Sequence, residues 1–254
     1  MTTIKTIAAF GLCGLTAIVL TPLGIIAFIL SIIGFRKLSN IITYKIAQRW
    51  ARITIAITGC TVEVKGRENI PKKGALCFVS NHVGLFDIIL TLAYLGRPFG
   101  FIAKKELIYV PFINIWISIL GGLYIDRKNI RKAIGTINKG IKVLQNGSCM
   151  LIFPEGTRNK GEALLPFKAG SIKLATNSLA TILPIAITGS YDVFERHNKV
   201  HSVPLKIVFC PPIITADMAA DVRRHKLADM TKACIEAALQ SNYTAIPASG
   251  GEPQ

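Results

Sequence analysis

A histidine and an aspartate stand five positions apart, directly after an apolar segment of the chain. Residues 75–80 form that segment, and His82, Gly84 and Asp87 follow it. A carboxylate that binds one imidazole nitrogen fixes the tautomer of the ring and leaves the other nitrogen to accept a proton. The pair therefore predicts general acid–base chemistry. A His-x4-Asp spacing also arises by accident, so the assignment depends on what else lies nearby.

Three further blocks lie in apolar segments or directly after them. Residues 155–158, Glu-Gly-Thr-Arg, follow one such segment. The guanidinium of Arg158 presents a fork that fits phosphate, and Thr157 adds a hydroxyl group. An ordinary solvated turn is the alternative. The block at 122–127 ends in Asp-Arg, whereas 183–186 holds no ionisable group and by itself predicts a core strand.

Other kinds of site have no pattern in the sequence. The six cysteines form no CxxC pair, which argues against a zinc or redox site and favours buried, reduced thiols. There is no dinucleotide-binding glycine fingerprint, P-loop or GxSxG motif. Carboxylates are few and scattered, so we expect no metal site and no cofactor.

Apolar, β-rich segments alternate with helical patterns after residue 60. The clearest helical pattern is an apolar stripe from Ile130 to Leu144 with 4-3-4-3 spacing, stopped by Asn146 and Gly147. This alternation predicts an α/β fold with a mostly parallel sheet flanked by helices. The polar blocks should then meet at the carboxyl edge of the sheet, where ligands bind. We expect strands at 61–64, 75–80, 99–103, 123–125, 149–153, 181–187 and 205–210, and further helices at 88–95, 168–177 and 217–240.

The N-terminus carries thirty residues without a charge, from 6 to 35. A single helix of that length would measure about 45 Å, against roughly 30 Å of bilayer hydrocarbon. Pro22 and Gly24 interrupt the segment near its middle. We therefore expect a hydrophobic helical membrane anchor, either one tilted, kinked span or a two-helix hairpin within one leaflet. A cleaved signal peptide is disfavoured because no A-x-A-like site follows and the apolar run is too long.

The next segment predicts a basic helix at the membrane interface. An apolar stripe runs from Ile42 to Ile57 and includes Trp50, cations occupy another face, and no acidic residue precedes Glu63. The alternative is that the stripe packs on the core. The positive-inside rule places the rest of the chain on the cytoplasmic face, which is that of the inner membrane in a bacterium.

Composition agrees with a membrane-associated protein. Of 254 residues, 51% are hydrophobic and only 17% charged, which excludes a disordered chain. The net charge of +16 and the mean hydropathy of +0.46 suit an anionic, apolar membrane surface better than nucleic acid. We expect an anchor and interfacial helix at 1–57, an α/β domain at 58–240 and a flexible tail at 241–254.

The four blocks, in this order, resemble the glycerolipid acyltransferase family, and most closely the 1-acyl-sn-glycerol-3-phosphate (lysophosphatidic acid) acyltransferases. The resemblance covers residues 66–212, and the stretches 103–107 and 166–170 are also similar to the family. Tyr124 and Ala169 depart mildly from its pattern. The resemblance implies an enzyme of phospholipid biosynthesis that moves an acyl chain from a thioester to the sn-2 hydroxyl of lysophosphatidic acid, which gives phosphatidic acid.

The resemblance also implies roles for individual residues. His82 would act as the general base, paired with Asp87, and the acceptor would attack the thioester directly, without an acyl-enzyme. Lys105, or a backbone amide near Gly156, is expected to contact the oxyanion or thioester. The substrate phosphate is expected to bind Arg158 with Glu155, Gly156, Thr157 and Arg127.

The implied partners are lysophosphatidic acid in a membrane and, as acyl donor, acyl-CoA or acyl carrier protein, with no nucleic acid. A different lysolipid acceptor within the same family is one alternative, and a non-enzymatic basic membrane-associated protein is another. The sequence leaves open the donor, its chain length, the range of acceptors, the oligomeric state and whether the anchor spans the bilayer.

Overall fold

The computed structural model describes residues 2–243. Seven strands form one sheet in the order β1-β7-β6-β2-β5-β3-β4. All neighbours are parallel except β6 and β7. The prediction of a mostly parallel α/β sheet flanked by helices is confirmed. The strands are β1 (Thr61–Lys65), β2 (Leu76–Ser80), β3 (Gly100–Lys104), β4 (Leu123–Ile125), β5 (Met150–Ile152), β6 (Thr181–Thr188) and β7 (Pro204–Phe209).

Helices cover both faces of the sheet. A core cluster around Phe78 and Phe209 lies under α2 and α3, and a second cluster around Met150 lies under α5, α6 and α9. β2 and β5 are buried along their whole length, which is why they read as unbroken apolar runs. The helices are α1 (Thr2–Ile32), α2 (Arg36–Thr58), α3 (Phe86–Tyr94), α4 (Ile113–Ile119), α5 (Ile130–Gln145), α6 (Ala169–Ser178), α7 (Ser190–Val193), α8 (Ala220–His225) and α9 (Leu227–Tyr243), with 3₁₀ turns at Arg67–Asn69 and Lys105–Tyr109.

Two helical predictions differ from the structure in their details. The segment expected as one helix at 217–240 forms α8 and α9, which meet at Lys226. In α5 the stripe is buried only in its C-terminal half, because Ile130 is 76% exposed and Ile134 is 55% exposed. These first turns follow β4, which is a three-residue edge strand and offers little surface to cover them. The tail predicted at 241–254 lies outside the described residues, apart from the last turn of α9.

α1 is one continuous helix with Pro22 inside it, so of the two expected arrangements residues 6–32 form the single helix and not the hairpin. The indole N–H of Trp116 donates to Thr21 Oγ1 at 3.1 Å, and its ring lies 3.2 Å from the position a Cβ would take at Gly24. α4 therefore holds α1 on both sides of the proline, and helices in apolar surroundings tolerate proline when neighbours support them. The helical hairpin of this chain consists of α1 and α2, joined at residues 33–35.

α1 lies along the body of the protein. Near its start, Lys5 Nζ donates to Ser202 Oγ at 2.8 Å, and the rings of Phe10 and Phe194 meet edge to face at 4.8 Å. Further along, Trp50 donates to the carbonyl oxygen of Cys13. The opposite side of α1 stays exposed and apolar: only 17% of its most hydrophobic window, of mean hydropathy 2.5, is buried.

The face of α2 that packs in the core is not its isoleucine stripe, which was expected at the membrane interface or, alternatively, on the core. Tyr44, Ala47, Ala51 and Ile55 are in the core, whereas Ile53 is 47% exposed and the rest of the predicted stripe is half-buried. Small residues let α1 and α3 approach closely on either side of α2, so packing selects the alanine face. α2 is therefore part of the core as well as the second arm of the hairpin.

Candidate active site

The parallel strands bring the predicted residues to one edge of the sheet. The loop after β2 begins with Asn81 and His82, and the loops after β3, β4 and β5 carry Lys105, Arg127 and residues 155–158. Because β2, β3, β4, β5 and β6 all run in the same direction, their carboxyl ends lie side by side.

His82 and Asp87 form a hydrogen-bonded pair. His82 Nδ1 lies 2.6 Å from Asp87 Oδ2, and the histidine side chain is 16% exposed while the aspartate is fully buried. The imidazole stacks on the ring of Phe153, with centroids 4.2 Å apart. With Nδ1 directed at the carboxylate, Nε2 is the nitrogen available to a substrate, and no hydrogen bond within residues 2–243 engages it.

The carboxylate of Asp87 is held by several donors. The backbone N–H groups of Val83 and Gly84 donate to Oδ2 at 2.6 and 3.0 Å, and the hydroxyl of Ser190 donates to Oδ1. Asp87 also lies in the first turn of α3, where the helix dipole favours a negative charge. These contacts fix the carboxylate, and through it the imidazole of His82.

Glu155 supports the loop that carries His82. Its Oε1 accepts the backbone N–H of His82 at 2.7 Å, and its Oε2 accepts the backbone N–H of Leu165 at 2.9 Å. The amide of Asn159 also donates to this carboxylate, and its backbone N–H donates to the carbonyl oxygen of His82 at 2.7 Å. Burial raises the pKa of the Glu155 carboxyl, and these donors oppose that shift. Both oxygens of Glu155 are thus occupied within the protein.

Arg158 lies at the exposed rim of this edge. Its Nη1 is 3.3 Å from Glu195 Oε1, which also accepts the backbone N–H of Leu85 at 2.7 Å. The other oxygen of Glu195 is buried and has no hydrogen-bond partner among the described residues. Burial raises the pKa of the Glu195 carboxyl. The guanidinium of Arg158 keeps its other donors for a ligand.

The remaining predicted residues surround the same loops. Arg127 donates to the carbonyl oxygen of Gly156, whose φ of +68° suits glycine, and Lys105 Nζ lies 2.7 Å from Asp126 Oδ2. The side chain of Lys168 lies against Gly156, 2.9 Å from the position a Cβ would take there. Thr157 is exposed. Arg127 and Lys168 therefore border the turn at Gly156, and Lys105 binds the loop that carries Arg127.

An apolar cavity of about 370 Å³ lies next to this edge. Leu85 and Phe86, which separate His82 from Asp87, form part of its wall. The wall also includes residues of α1, α2, α3, β3, the 3₁₀ turn after β3 and α4. A polar, basic edge thus adjoins an apolar cavity, an arrangement that suits a substrate with a charged head and a hydrocarbon chain.

Sequence reasoning missed four residues of the site. Ser190 follows β6, so the rule that polar residues gather at strand ends could have identified it, although block 183–186 was read as core only. Asn81 joins β2 to β6 by bonds of 2.9 and 2.8 Å with the backbone of Ile187. Asn159 and Glu195 have no local sequence signal, because their partners are distant in the chain. No group of three or more His, Cys, Asp or Glu within residues 2–243 is placed to hold a metal ion.

A His–Asp pair on a mostly parallel sheet, beside cations and an apolar cavity, suits an enzyme of acyl-chain transfer. A family model described as Acyltransferase matches residues 61–188, about half of the chain, and the protein belongs to this family.

Relatives and a solved structure agree. The 1-acyl-sn-glycerol-3-phosphate acyltransferase of Borreliella burgdorferi is 31% identical over 181 residues, which is 71% of this chain and 72% of that protein. The Saccharomyces cerevisiae protein of the same name is 35% identical over 188 residues, 68% of this chain and 59% of its own length. The crystal structure of the 1-acyl-sn-glycerophosphate (LPA) acyltransferase PlsC from Thermotoga maritima matches with a TM-score of 0.82 at 23% identity, and covers 97% of this chain and 100% of that one, so the fold is shared.

Proposed function

We propose that this protein is a 1-acylglycerol-3-phosphate O-acyltransferase, which moves an acyl chain from a thioester to the sn-2 hydroxyl of lysophosphatidic acid. The single observation that carries the proposal is the His82–Asp87 pair, at 2.6 Å, beside an apolar cavity. The names of the relatives from Borreliella and Saccharomyces support the same acceptor.

The pair supplies a base for an alcohol, which is a poor nucleophile near neutral pH. His82 Nε2 takes the proton of the sn-2 hydroxyl as its oxygen bonds to the thioester carbonyl carbon. Asp87 accepts a hydrogen bond from the Nδ1–H group of the ring and stabilises the imidazolium. When the carbon–sulfur bond breaks, the thiolate leaves with the proton held at Nε2. No acyl-enzyme is needed, and atoms and charges balance over the two steps.

The acceptor phosphate binds at the basic rim. Arg158 supplies the fork-shaped guanidinium, and Arg127, Gly156 and Thr157 shape the turn beside it. Glu155 acts by holding the turn and the His82 loop together. Lys105 is kept as a candidate for the oxyanion, a role that its ion pair with Asp126 would orient.

The donor is an acyl thioester, acyl-CoA or acyl carrier protein, with no cofactor. Its acyl chain occupies the apolar cavity, which accounts for a wall made almost wholly of aliphatic and aromatic groups. The cavity wall does not distinguish acyl-CoA from an acyl carrier protein thioester, because the two donors carry the same acyl chain and differ only on the thiol side of the thioester.

The protein lies on one leaflet, with its active edge in the cytoplasm. α1 contacts the body from Lys5 to Gly24, so it cannot cross the bilayer away from the body. The exposed apolar side of α1 enters the leaflet, and the cations of α2 meet the lipid head groups. The division into 1–57, 58–240 and 241–254 is kept as a functional one, although α2 also packs in the core.

An acylation assay tests the proposal. The full chain in lipid is given lysophosphatidic acid with acyl-CoA or acyl carrier protein thioester, and phosphatidic acid is measured. We expect His82→Ala to reduce turnover by about 10²–10⁴-fold, since that is the range of general base catalysis. His225→Ala, at an exposed histidine of α8, is the matched control and should turn over as the wild type does.

Each other outcome has a defined meaning. Acylation of other lysolipids without phosphatidic acid would keep the reaction and reject the acceptor. Absence of any acylation with both thioesters would reject the enzyme. Normal turnover of His82→Ala would remove the histidine from the mechanism.

A further inference from the structure

From the end of the 3₁₀ turn after β3 to the first residue of α4, the chain exposes a run of large apolar side chains. Tyr109 is 82% exposed and Ile108 is 47% exposed. Val110, Phe112 and Ile113 are also exposed. We call residues 108–113 the apolar loop. No charged residue occurs from 107 to 125, whereas Lys104, Lys105 and Glu106 stand just before it. An exposed apolar patch of this kind marks a surface that contacts a partner or a membrane.

The apolar loop has a defined shape. The side-chain amide of Asn114 donates to the carbonyl oxygen of Ile108 at 2.9 Å, and Tyr124 donates to the carbonyl oxygen of Asn114 at 3.0 Å. Phe112 has a φ of +62°, a conformation that a bulky residue keeps only where its surroundings impose it. The exposed side chains are therefore held outward by the fold.

The apolar loop lies next to α1. It leads directly into α4, whose Trp116 binds Thr21 and packs on Gly24. The side of α1 that faces away from these contacts is exposed and apolar, with Val19, Leu23 and Ile26. The loop and the exposed side of α1 are thus held near each other by α4. The loop also belongs to the cavity, since Phe112 and Ile113 line its wall.

We propose that the apolar loop inserts into the same leaflet as α1 and forms the mouth through which a lipid chain passes between the bilayer and the cavity. The proposal rests on the proposed function only for the identity of the chain; the insertion itself is a separate claim. Three observations favour a bilayer over a protein partner: the neighbouring α1 with its exposed apolar side, the absence of charge across the loop, and the exposed Lys104 before it, which suits anionic head groups.

Insertion is measured by the depth of a tryptophan added to the two that the chain already has. The full-length Tyr109→Trp variant is bound to vesicles of phosphatidylglycerol and phosphatidylethanolamine whose chains carry bromine, and quenching is compared with that of the wild type. We expect extra quenching from the added tryptophan. Ile134→Trp is the matched control, because Ile134 is exposed on α5, on the other face of the sheet, and should give no extra quenching. Vesicle-bound Tyr109→Trp without extra quenching would overturn the proposal.

The passage of the chain is measured by activity. The double variant Ile108→Glu, Val110→Glu changes side chains that do not line the cavity. With long-chain substrates in vesicles its turnover should fall by about tenfold, since charge in the leaflet is costly, while short-chain substrates in solution should react at the wild-type rate. Equal losses of turnover with long-chain and short-chain substrates would show that the substitutions damage the active site. That result would reject the apolar loop as the mouth of the cavity. A wild type without acyltransferase activity would reject the proposed function, and the quenching result would still decide the insertion.

Discussion

At the scale of single residues, the carboxylates of the site hold other groups in place. Asp87 accepts two backbone N–H groups and a hydroxyl in addition to the imidazole of His82. Glu155 accepts the N–H of His82 from the other side. The imidazole is thus fixed through both its ring and its backbone, which is the pre-organisation that proton transfer requires.

Ser190 should be a positioning residue for Asp87. In Ser190→Ala, Oδ1 of a fully buried carboxylate loses a donor, which costs about 1–3 kcal/mol. We expect kcat to fall about tenfold, with the KM for the acceptor unchanged and the thermal midpoint lowered. Steady-state kinetics and thermal unfolding in detergent measure these effects.

Ser202→Ala is the control, because the hydroxyl of Ser202 bonds to Lys5 and Thr58, neither of which belongs to the site. It should keep the wild-type kcat. An unchanged kcat in Ser190→Ala would show that Asp87 does not need this donor.

The same substitution should act differently at Glu155, which is buried, and at Glu195, which is half-buried. In Glu155→Gln, the amide that replaces one oxygen faces an N–H of either His82 or Leu165, so two donors oppose each other. We expect a loss of about 1–3 kcal/mol of stability and a lower kcat.

In Glu195→Gln, the amide can take the position of the unpartnered oxygen while the carbonyl oxygen accepts from Leu85. This variant should therefore keep its thermal midpoint. Equal loss of stability in the two variants would contradict the bracing role of Glu155.

At the scale of elements, the strands were predictable and the contact faces of the helices were not. All seven strands occur where the β-rich segments predicted them. The signal is clearest for β2 and β5, because both are buried along their whole length and their sequences are almost wholly apolar. The stripe of α2 was predicted to lie at the membrane interface, with packing on the core as the alternative; most of it is half-buried, and Ala47 and Ala51 lie in the core instead. Hydrophobic spacing shows which side chains avoid water, and a membrane or a close helix contact can satisfy that in more than one way. Contacts between distant residues, such as Glu195 with Leu85, have no local pattern at all.

The contact between α1 and α4 should be sensitive to one glycine. A Cβ at Gly24 would lie 3.2 Å from Trp116 and 3.4 Å from Ile119. Gly24→Leu should therefore separate the helices and cost about 1–3 kcal/mol, as overpacking does. Thermal unfolding and the rate at which protease releases α1 both report the loss.

Gly11→Leu is the matched control, because no atom lies within 4 Å of the Cβ position there. It should be neutral or gain up to about 1 kcal/mol from helix propensity. If both variants behave alike, the packing of α4 on α1 does not hold the hairpin.

At the scale of the whole molecule, charge and apolar surface lie next to each other. The +16 net charge accompanies an exposed apolar side on α1, and α2 places Arg36, Lys37 and Lys45 at the surface beside it. Apolar burial and electrostatic attraction then act on the same bound state, each basic residue near an anionic surface contributing about 1 kcal/mol.

Salt should consequently weaken activity on anionic vesicles. The screening length falls from about 8 Å at physiological ionic strength to about 3 Å at 1 M, so turnover on phosphatidylglycerol vesicles should drop as salt is added. Turnover in neutral detergent micelles should change little. Equal salt sensitivity in the two systems would show that the net charge does not act through the membrane.

The pairing of β1 with β7 has a consequence for biosynthesis. β1 has no strand partner until β7 is made, and the loop of His82 lacks Asn81's partner Ile187 and the hydroxyl of Ser190 until β6 is complete. Chains leave the ribosome N-terminus first. If α1 enters the leaflet as we propose, it meets lipid while the sheet is still unpaired, and the His82 loop gains its full set of contacts only after Ser190 is made. The growing chain would then be held at the membrane before the proposed general base is in place.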